Sequence, residues 1–110
     1  MEQLIFLVKG SSSEPYELTF IKDGDSLTAI CTCPAGTYGN LCKHRLLILD
    51  GQSKAISSDN ADKVPTVTDW LVGTDVEAAL MELRNAQKSS ATSKDDLAAL
   101  KKKLARAMNS

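Results

Sequence analysis

Apolar and polar positions alternate with a two-residue period in the first third of the chain. Leu4–Val8 is an uninterrupted apolar run and predicts a short buried strand. An alternating run begins at Tyr16, and a second one, Leu27–Cys33, follows the pair Asp23-Gly24. An Asp-Gly pair between two alternating runs is a strong hairpin signal. This part of the chain therefore predicts an antiparallel β-meander.

Helical spacing replaces alternation further along the chain. Leu41–Leu49 predicts a short helix, and two longer amphipathic helices are expected near the end of the sequence. The first begins with a capping box formed by Thr74 and Glu77, and the second begins near Ser93. Between the short helix and this pair, residues 52–65 are rich in Ser, Asp and Asn and lack periodicity, which is typical of a linker. We therefore predict a module at 1–51, a linker at 52–65 and a C-terminal helical region at 66–110.

Composition and charge limit the classes of protein to consider. The chain has 110 residues, of which 43% are hydrophobic and 25% charged, with a net charge of −1. These values fit a small globular domain and do not by themselves indicate a nucleic-acid partner, although residues 91–110 are locally basic. No run approaches the roughly 20 apolar residues of a membrane span, and the N-terminus does not have the form of a signal peptide. We expect an intracellular protein, cytoplasmic or nuclear if eukaryotic, with no membrane partner.

The candidate chemistry lies in one segment, which runs from Cys31 to His44. It holds all three cysteines, Cys31, Cys33 and Cys42, and the only histidine, His44. Three thiolates and an imidazole are a standard donor set for one tetrahedral structural zinc ion. For all four donors to meet, Cys42 must lie just before the short helix and His44 in its first turn, because residues two apart on a helix point in opposite directions. Unrelated buried cysteines or a Cys–His nucleophile pair are the alternatives, and the close clustering favours zinc over both.

The spacing C-x-C-x8-C-x-H resembles the SWIM zinc finger. The likeness extends to the strand pair before Cys31, to the Cys33-Pro34 pair, and to the apolar helix after His44, and it covers about residues 14–51. The resemblance implies association with DNA or with a protein partner, and it implies no catalytic residues. With the zinc prediction, the fold class is α+β: a small antiparallel β-meander plus a short helix around a zinc site, followed by a C-terminal helical hairpin.

Two functional hypotheses remain open at this point. In the first, the protein associates with DNA, with Lys43 and Arg45 as tentative nucleic-acid contacts beside the zinc and further basic residues in the last helix. The second is a non-catalytic adaptor or inhibitor that binds a protein partner. Lys43 and Arg45 could equally serve to offset the net charge of −1 that three thiolates and Zn²⁺ leave. We expect neither enzymatic activity nor a small-molecule substrate.

Overall fold

Three strands form one antiparallel sheet in the order β1-β2-β3. In this computed structural model, which describes residues 2–10, 13–37, 40–89 and 91–109, the strands are β1 (Glu2–Val8), β2 (Tyr16–Asp23) and β3 (Ser26–Cys31). The predicted hairpin joins β2 to β3, and its turn begins with Gly24 at φ 59°, a left-handed conformation that glycine adopts readily. The register pairs Leu18 with Cys31, so the meander brings the first cysteine to the end of β3.

The sheet has one buried and one open face. Phe6 and Phe20 lie on the buried face and pack edge to face, with ring centroids 6.0 Å apart. The prediction of a fully buried first strand is only half right, because Ile5 and Leu7 point to the open face and are 43% and 38% exposed. Helices cover one side of this sheet, so an apolar run on its edge strand can be buried only at alternate positions.

The remainder of the described chain is mainly helical. A 3₁₀ turn at Ala61–Lys63 precedes the third of five helices, which are α1 (Pro34–Thr37), α2 (Lys43–Leu49), α3 (Val64–Leu71), α4 (Asp75–Lys88) and α5 (Lys94–Asn109). The α+β prediction is confirmed.

Side-chain caps fix the starts of the two long helices. The Thr74 hydroxyl accepts the backbone N–H of Glu77 (3.3 Å), and the Glu77 carboxylate accepts the N–H of Gly73 (3.0 Å). The predicted capping box thus forms, with its return bond shifted by one residue. Ser93 Oγ accepts the N–H of Asp96 (3.1 Å) at the start of α5, as predicted. Each cap satisfies a backbone donor that the first turn of a helix cannot bond internally.

The segment predicted as a linker is integrated into the fold. Lys9 donates its N–H to Ala55 O and Ser57 donates to Leu7 O, both at 2.8 Å, so this segment runs along the outer edge of β1. A polar side chain of this segment also forms a hydrogen bond with the edge of β1, since Asn60 Nδ2 donates to Ile5 O (2.7 Å). The Ser and Asn content that suggested a linker therefore reflects bonding to a strand edge.

One hydrophobic core joins the sheet to the C-terminal helices. Leu104 and Met108 of α5 are fully buried in the same cluster as Phe6 and Cys31. The predicted boundary at residues 52–65 therefore does not separate two cores within the described chain. No helix in the described ranges is both long enough and apolar enough to cross a membrane.

Candidate metal centre

The end of β3 delivers the first two predicted ligands. Cys31 is the last residue of β3, and Cys33 precedes the single turn of α1. Gly36 packs directly on the strand end: a Cβ at this position would lie 2.3 Å from Cys31 O. Its backbone N–H also donates to Cys33 Sγ (3.4 Å). The chain thus curls away from the sheet at Pro34 and Gly36.

The start of α2 delivers the other two ligands. Cys42 is the N-cap residue and has extended backbone angles (φ −123°, ψ 146°), whereas His44 lies in the first helical turn. This change of backbone conformation lets two residues only two positions apart point toward the same place. The predicted placement of Cys42 and His44 is confirmed.

The four side chains converge on one point. One donor atom from each of Cys31, Cys33, Cys42 and His44 can be chosen so that all lie within 4.8 Å of one another. Zinc at about 2.3 Å from sulfur holds its donors roughly 3.8 Å apart, so slight contraction of this cluster would complete a tetrahedron. All four residues are buried.

His44 supplies a further test of fit to a metal. Its Nδ1 lies 3.9 Å from Cys31 Sγ, and its Nε2 is buried without a hydrogen-bond partner among the described residues. Native proteins rarely leave such an atom unsatisfied, and a bound ion is one of the accepted explanations. The site therefore fits one zinc ion held by protein ligands alone.

Residues 17–49 match the family model described as the SWIM zinc finger. This segment is a SWIM zinc finger. The match confirms the predicted family and includes all four ligands, but it spans less than a third of the chain. Helices α3 to α5 lie outside it. Comparisons with curated proteins and with solved structures gave no match.

Two ligands of the SWIM finger are already coupled through a proton. A hydrogen bond to Cys42, reinforced by burial, raises the pKa of the Cys31 thiol well above its ordinary value. The same bond from Cys31, together with Arg45 and against the effect of burial, lowers the pKa of Cys42 to about 4. Of the two, Cys42 therefore gives up its proton more readily, and Cys31 retains its proton more strongly.

Arg45 lies inside the protein, contrary to its tentative assignment as a nucleic-acid contact. It is 0% exposed, and its Nε donates to Cys42 Sγ at 3.2 Å. Its Nη1 donates to Ala29 O (2.8 Å) and to Asn109 Oδ1 (3.2 Å), and its Nη2 donates to Asn40 O. A guanidinium with these internal partners cannot contact a phosphate. Its hydrogen bond to Cys42 Sγ favours the other predicted role, which is to offset the negative charge of the SWIM site.

Lys43 has the opposite environment. It is exposed, although the buried residues Cys42 and His44 flank it. The structure thus separates the two basic residues that the sequence treated alike. On a helix, residues two positions apart point about 200° away from each other, which places Lys43 outward and Arg45 inward.

Two further residues of the site were not identified from the sequence. Tyr16 packs its ring against the His44 imidazole, with centroids 5.5 Å apart, and Asn109 reaches Arg45 from the end of α5. The alternating pattern at Tyr16 indicated a strand but not a contact with the metal site. Nothing in the sequence indicated a role for Asn109, because its contact with Arg45 depends on how α5 docks.

Proposed function

We propose that this protein associates with nucleic acid inside the cell, and that the SWIM finger is a structural rather than a catalytic zinc module. The observation that carries the proposal is the meeting of exposed cations from the finger and from α5 on one side of the molecule. A closed set of four protein ligands supports the non-catalytic role, since it leaves no coordination position for a reacting water.

Two adjoining grooves define this side. One, of about 430 Å³, is lined by Lys43, Arg84 and Lys101, among others. The second, of about 500 Å³, is lined by Asn40 and Leu41 on one wall and by α5 on the other. Leu41 and Lys101 line both grooves, so the two lie side by side. We call the five cations along them the basic face: Lys43, Arg84, Lys101, Lys102 and Arg106.

The charge of the basic face contrasts with that of the whole chain. Asp50, which pairs with Arg84, is the one acid among the described residues lining the grooves. The complete chain has a net charge of −1, so the remaining surface is net acidic. Such asymmetry would turn the basic face toward a polyanion.

The pattern of the basic face favours a nucleic-acid backbone over a single anion. Its cations are spread along two adjoining grooves and do not converge on one point. No aromatic side chain occurs among the described residues that line them, so base stacking has no platform there. We therefore expect contacts to phosphates with little preference for base sequence.

Binding of labelled double- and single-stranded DNA to zinc-loaded protein across a salt series tests the proposal. The dissociation constant is expected to be of the order of 10⁻⁴–10⁻⁶ M at physiological salt and to rise steeply with salt. Lys43→Glu and the double variant Lys101→Glu/Lys102→Glu should each weaken binding equally on unrelated sequences. Each lost phosphate contact should lower the salt slope by about 1.

A matched charge control is available on the rest of the surface. Lys54 and Lys63 are exposed and line neither groove, so Lys54→Glu/Lys63→Glu makes the same change in net charge. It should bind DNA much as the wild type does. Absence of binding at low salt, or equal loss in both double variants, would refute the proposed face.

The open face of the sheet favours an adaptor role as the second candidate. Ile5 and Ile30 flank Thr19 in one cross-strand row, and both are more than two-fifths exposed. Exposed apolar residues in such a row can seat a protein partner. If this role is correct, Ile5→Asp/Ile30→Asp should abolish retention of a specific cellular partner without changing DNA affinity.

A further inference from the structure

Arg45 connects the SWIM ligands to three separate parts of the fold. Besides the Cys42 thiolate it bonds β3 through Ala29 O, the segment before α2 through Asn40 O, and the end of α5 through Asn109 Oδ1. The contact to Asn109 spans 64 positions of sequence. One fully buried side chain therefore links the zinc ligands to the last turn of the last helix.

The same contacts reach both walls of the second groove of the basic face. Asn40 belongs to one wall, and the other is formed by α5, through Ala105 and Arg106 among others. Arg45 bonds the first wall at Asn40, and it bonds α5, which forms the second wall, at Asn109, three residues beyond Arg106. The separation of the two walls thus depends on a side chain that is itself held by a zinc ligand.

We propose that Arg45 is a positioning residue that couples zinc binding to the docking of the last turn of α5. When the ligands are tied together, Cys42 and the first turn of α2 are fixed, and Arg45 is fixed with them. Its guanidinium then holds Asn109 and the groove wall in place. The coupling stands independently of DNA, and its consequence for the basic face rests on the proposed function.

Apolar contacts limit how far this coupling extends. Leu104 and Met108 are fully buried and hold the body of α5 on the sheet. Loss of the Arg45–Asn109 bond should therefore loosen the last turn without releasing the helix. Linkage is reciprocal, so a substitution of Asn109 that weakens the docking of the last turn must also lower the zinc affinity.

The decisive experiment measures the zinc affinity of full-length Asn109→Ala protein by competition with a chromophoric chelator. Asn109 is not a metal ligand, yet coupling predicts a zinc affinity about fivefold lower than that of the wild type. Amide exchange in the last turn of α5, at residues 106–109, should rise in parallel, while exchange at Leu80 and Leu83 of α4 stays unchanged. Asn85→Ala, an equivalent substitution at an exposed position of α4, should change neither quantity.

A second variant keeps the test independent of Asn109. Arg45→Lys retains a cation near Cys42 but cannot reach all four acceptors, so zinc affinity should fall and exchange at the last turn should accelerate. A wild-type zinc affinity of Asn109→Ala would overturn the coupling and leave Arg45 as a buried counter-charge only. Neither readout involves DNA, so a failure of DNA binding alone would refute the proposed function and not this inference.

Discussion

Cys42 combines the two electrostatic requirements of the zinc site in one side chain. Its sulfur is a metal donor, and it also accepts a hydrogen bond from the buried Arg45 guanidinium. Three thiolates with Zn²⁺ carry a net charge of −1, which is costly inside a protein unless a cation offsets it. Arg45 supplies that cation from the same helix that presents His44.

Replacing a ligand should therefore remove more than one bond. In Cys42→Ser the zinc loses a thiolate and Arg45 loses its anionic partner, so we expect zinc binding to be lost and at least residues 27–50 to unfold. Zinc binding supplies folding free energy of the order of 10–16 kcal/mol in small zinc modules. His44→Ala should act similarly, and amide exchange with and without zinc measures the effect.

Lys43, the exposed residue between Cys42 and His44, provides the control for the variants Cys42→Ser and His44→Ala. Lys43→Ala alters the position between Cys42 and His44 and should keep zinc and native exchange protection. Native protection in metal-free Cys42→Ser would contradict a structural role for the metal.

Zinc affinity should fall as the pH is lowered. The hydrogen bond between the two thiols and the nearby Arg45 lower the pKa of Cys42, whereas the hydrogen bond to Cys42 and burial raise the pKa of Cys31, which favours a bound proton there. Zinc must displace at least that proton, so the apparent affinity should drop at least about tenfold for each pH unit of acidification near neutrality. Competition with a chelator of known pH dependence at pH 6 and 7.5 measures this, and a pH-independent affinity would exclude the shared proton.

At the scale of single residues, the sequence predicted the four zinc ligands. It did not predict the residues that hold these ligands in place. The type and the spacing of metal donors can be read directly from the sequence, and they identified Cys31, Cys33, Cys42 and His44. The burial of Arg45 and the approach of Asn109 depend on tertiary docking, which residue type does not encode. Lys43 and Arg45 therefore looked equivalent until the helix was placed against the sheet.

Among the elements, α1 has little room to move because it packs against backbone. It crosses so close to the end of β3 that a Cβ on Gly36 would meet Cys31 O at 2.3 Å. That neighbour is backbone and cannot rotate away. Gly36→Ala should therefore displace Cys33 from Cys31, cost about 1–3 kcal/mol of stability and accelerate zinc release.

Gly24→Ala gives a comparison at the other end of β3. Gly24 has φ 59° and nothing within 4 Å of a built Cβ, so the substitution strains the hairpin turn without crowding the ligands. It should cost about 1–2 kcal/mol and leave the zinc release rate unchanged. If Gly36→Ala released zinc no faster than Gly24→Ala, close packing of α1 would not control the site.

The elements themselves were largely predictable from pattern. Alternation gave β2 and β3, and caps at Thr74 and Ser93 gave the starts of α4 and α5. The partial exposure of β1 was not predictable, since Leu4–Val8 is apolar on both faces and periodicity cannot show which face is covered. The turn of α1 was not predicted, because four residues carry too little pattern for a helix.

In the whole molecule, the SWIM finger and the C-terminal helices share one core. Zinc-dependent unfolding should therefore be a single transition. Trp70 in α3 is the only tryptophan and reports the helical part, while Co²⁺ substituted for zinc would report the thiolate site through its absorbance. Both signals should change at the same denaturant concentration, with a midpoint that rises with free metal.

Separate midpoints would instead support the sequence-based division at residues 52–65. That division arose because a polar, aperiodic segment has the same composition whether it is a linker or a strand-edge partner. Backbone hydrogen bonds distinguish a linker from a segment that pairs with a strand edge. The pattern of side chains along the sequence does not show these bonds.

The pairing of residues 55–60 with β1 also bears on how this chain behaves in concentrated solution. An uncovered edge strand with apolar residues on its exposed face is a template for edge-to-edge aggregation. Here the edge of β1 is occupied at Leu7 and Lys9 by backbone bonds and at Ile5 by the Asn60 amide. Residues 55–60 thus block this edge against pairing with a second molecule. A proteolytic cut within them would be expected to expose β1 and to start fibril growth from it.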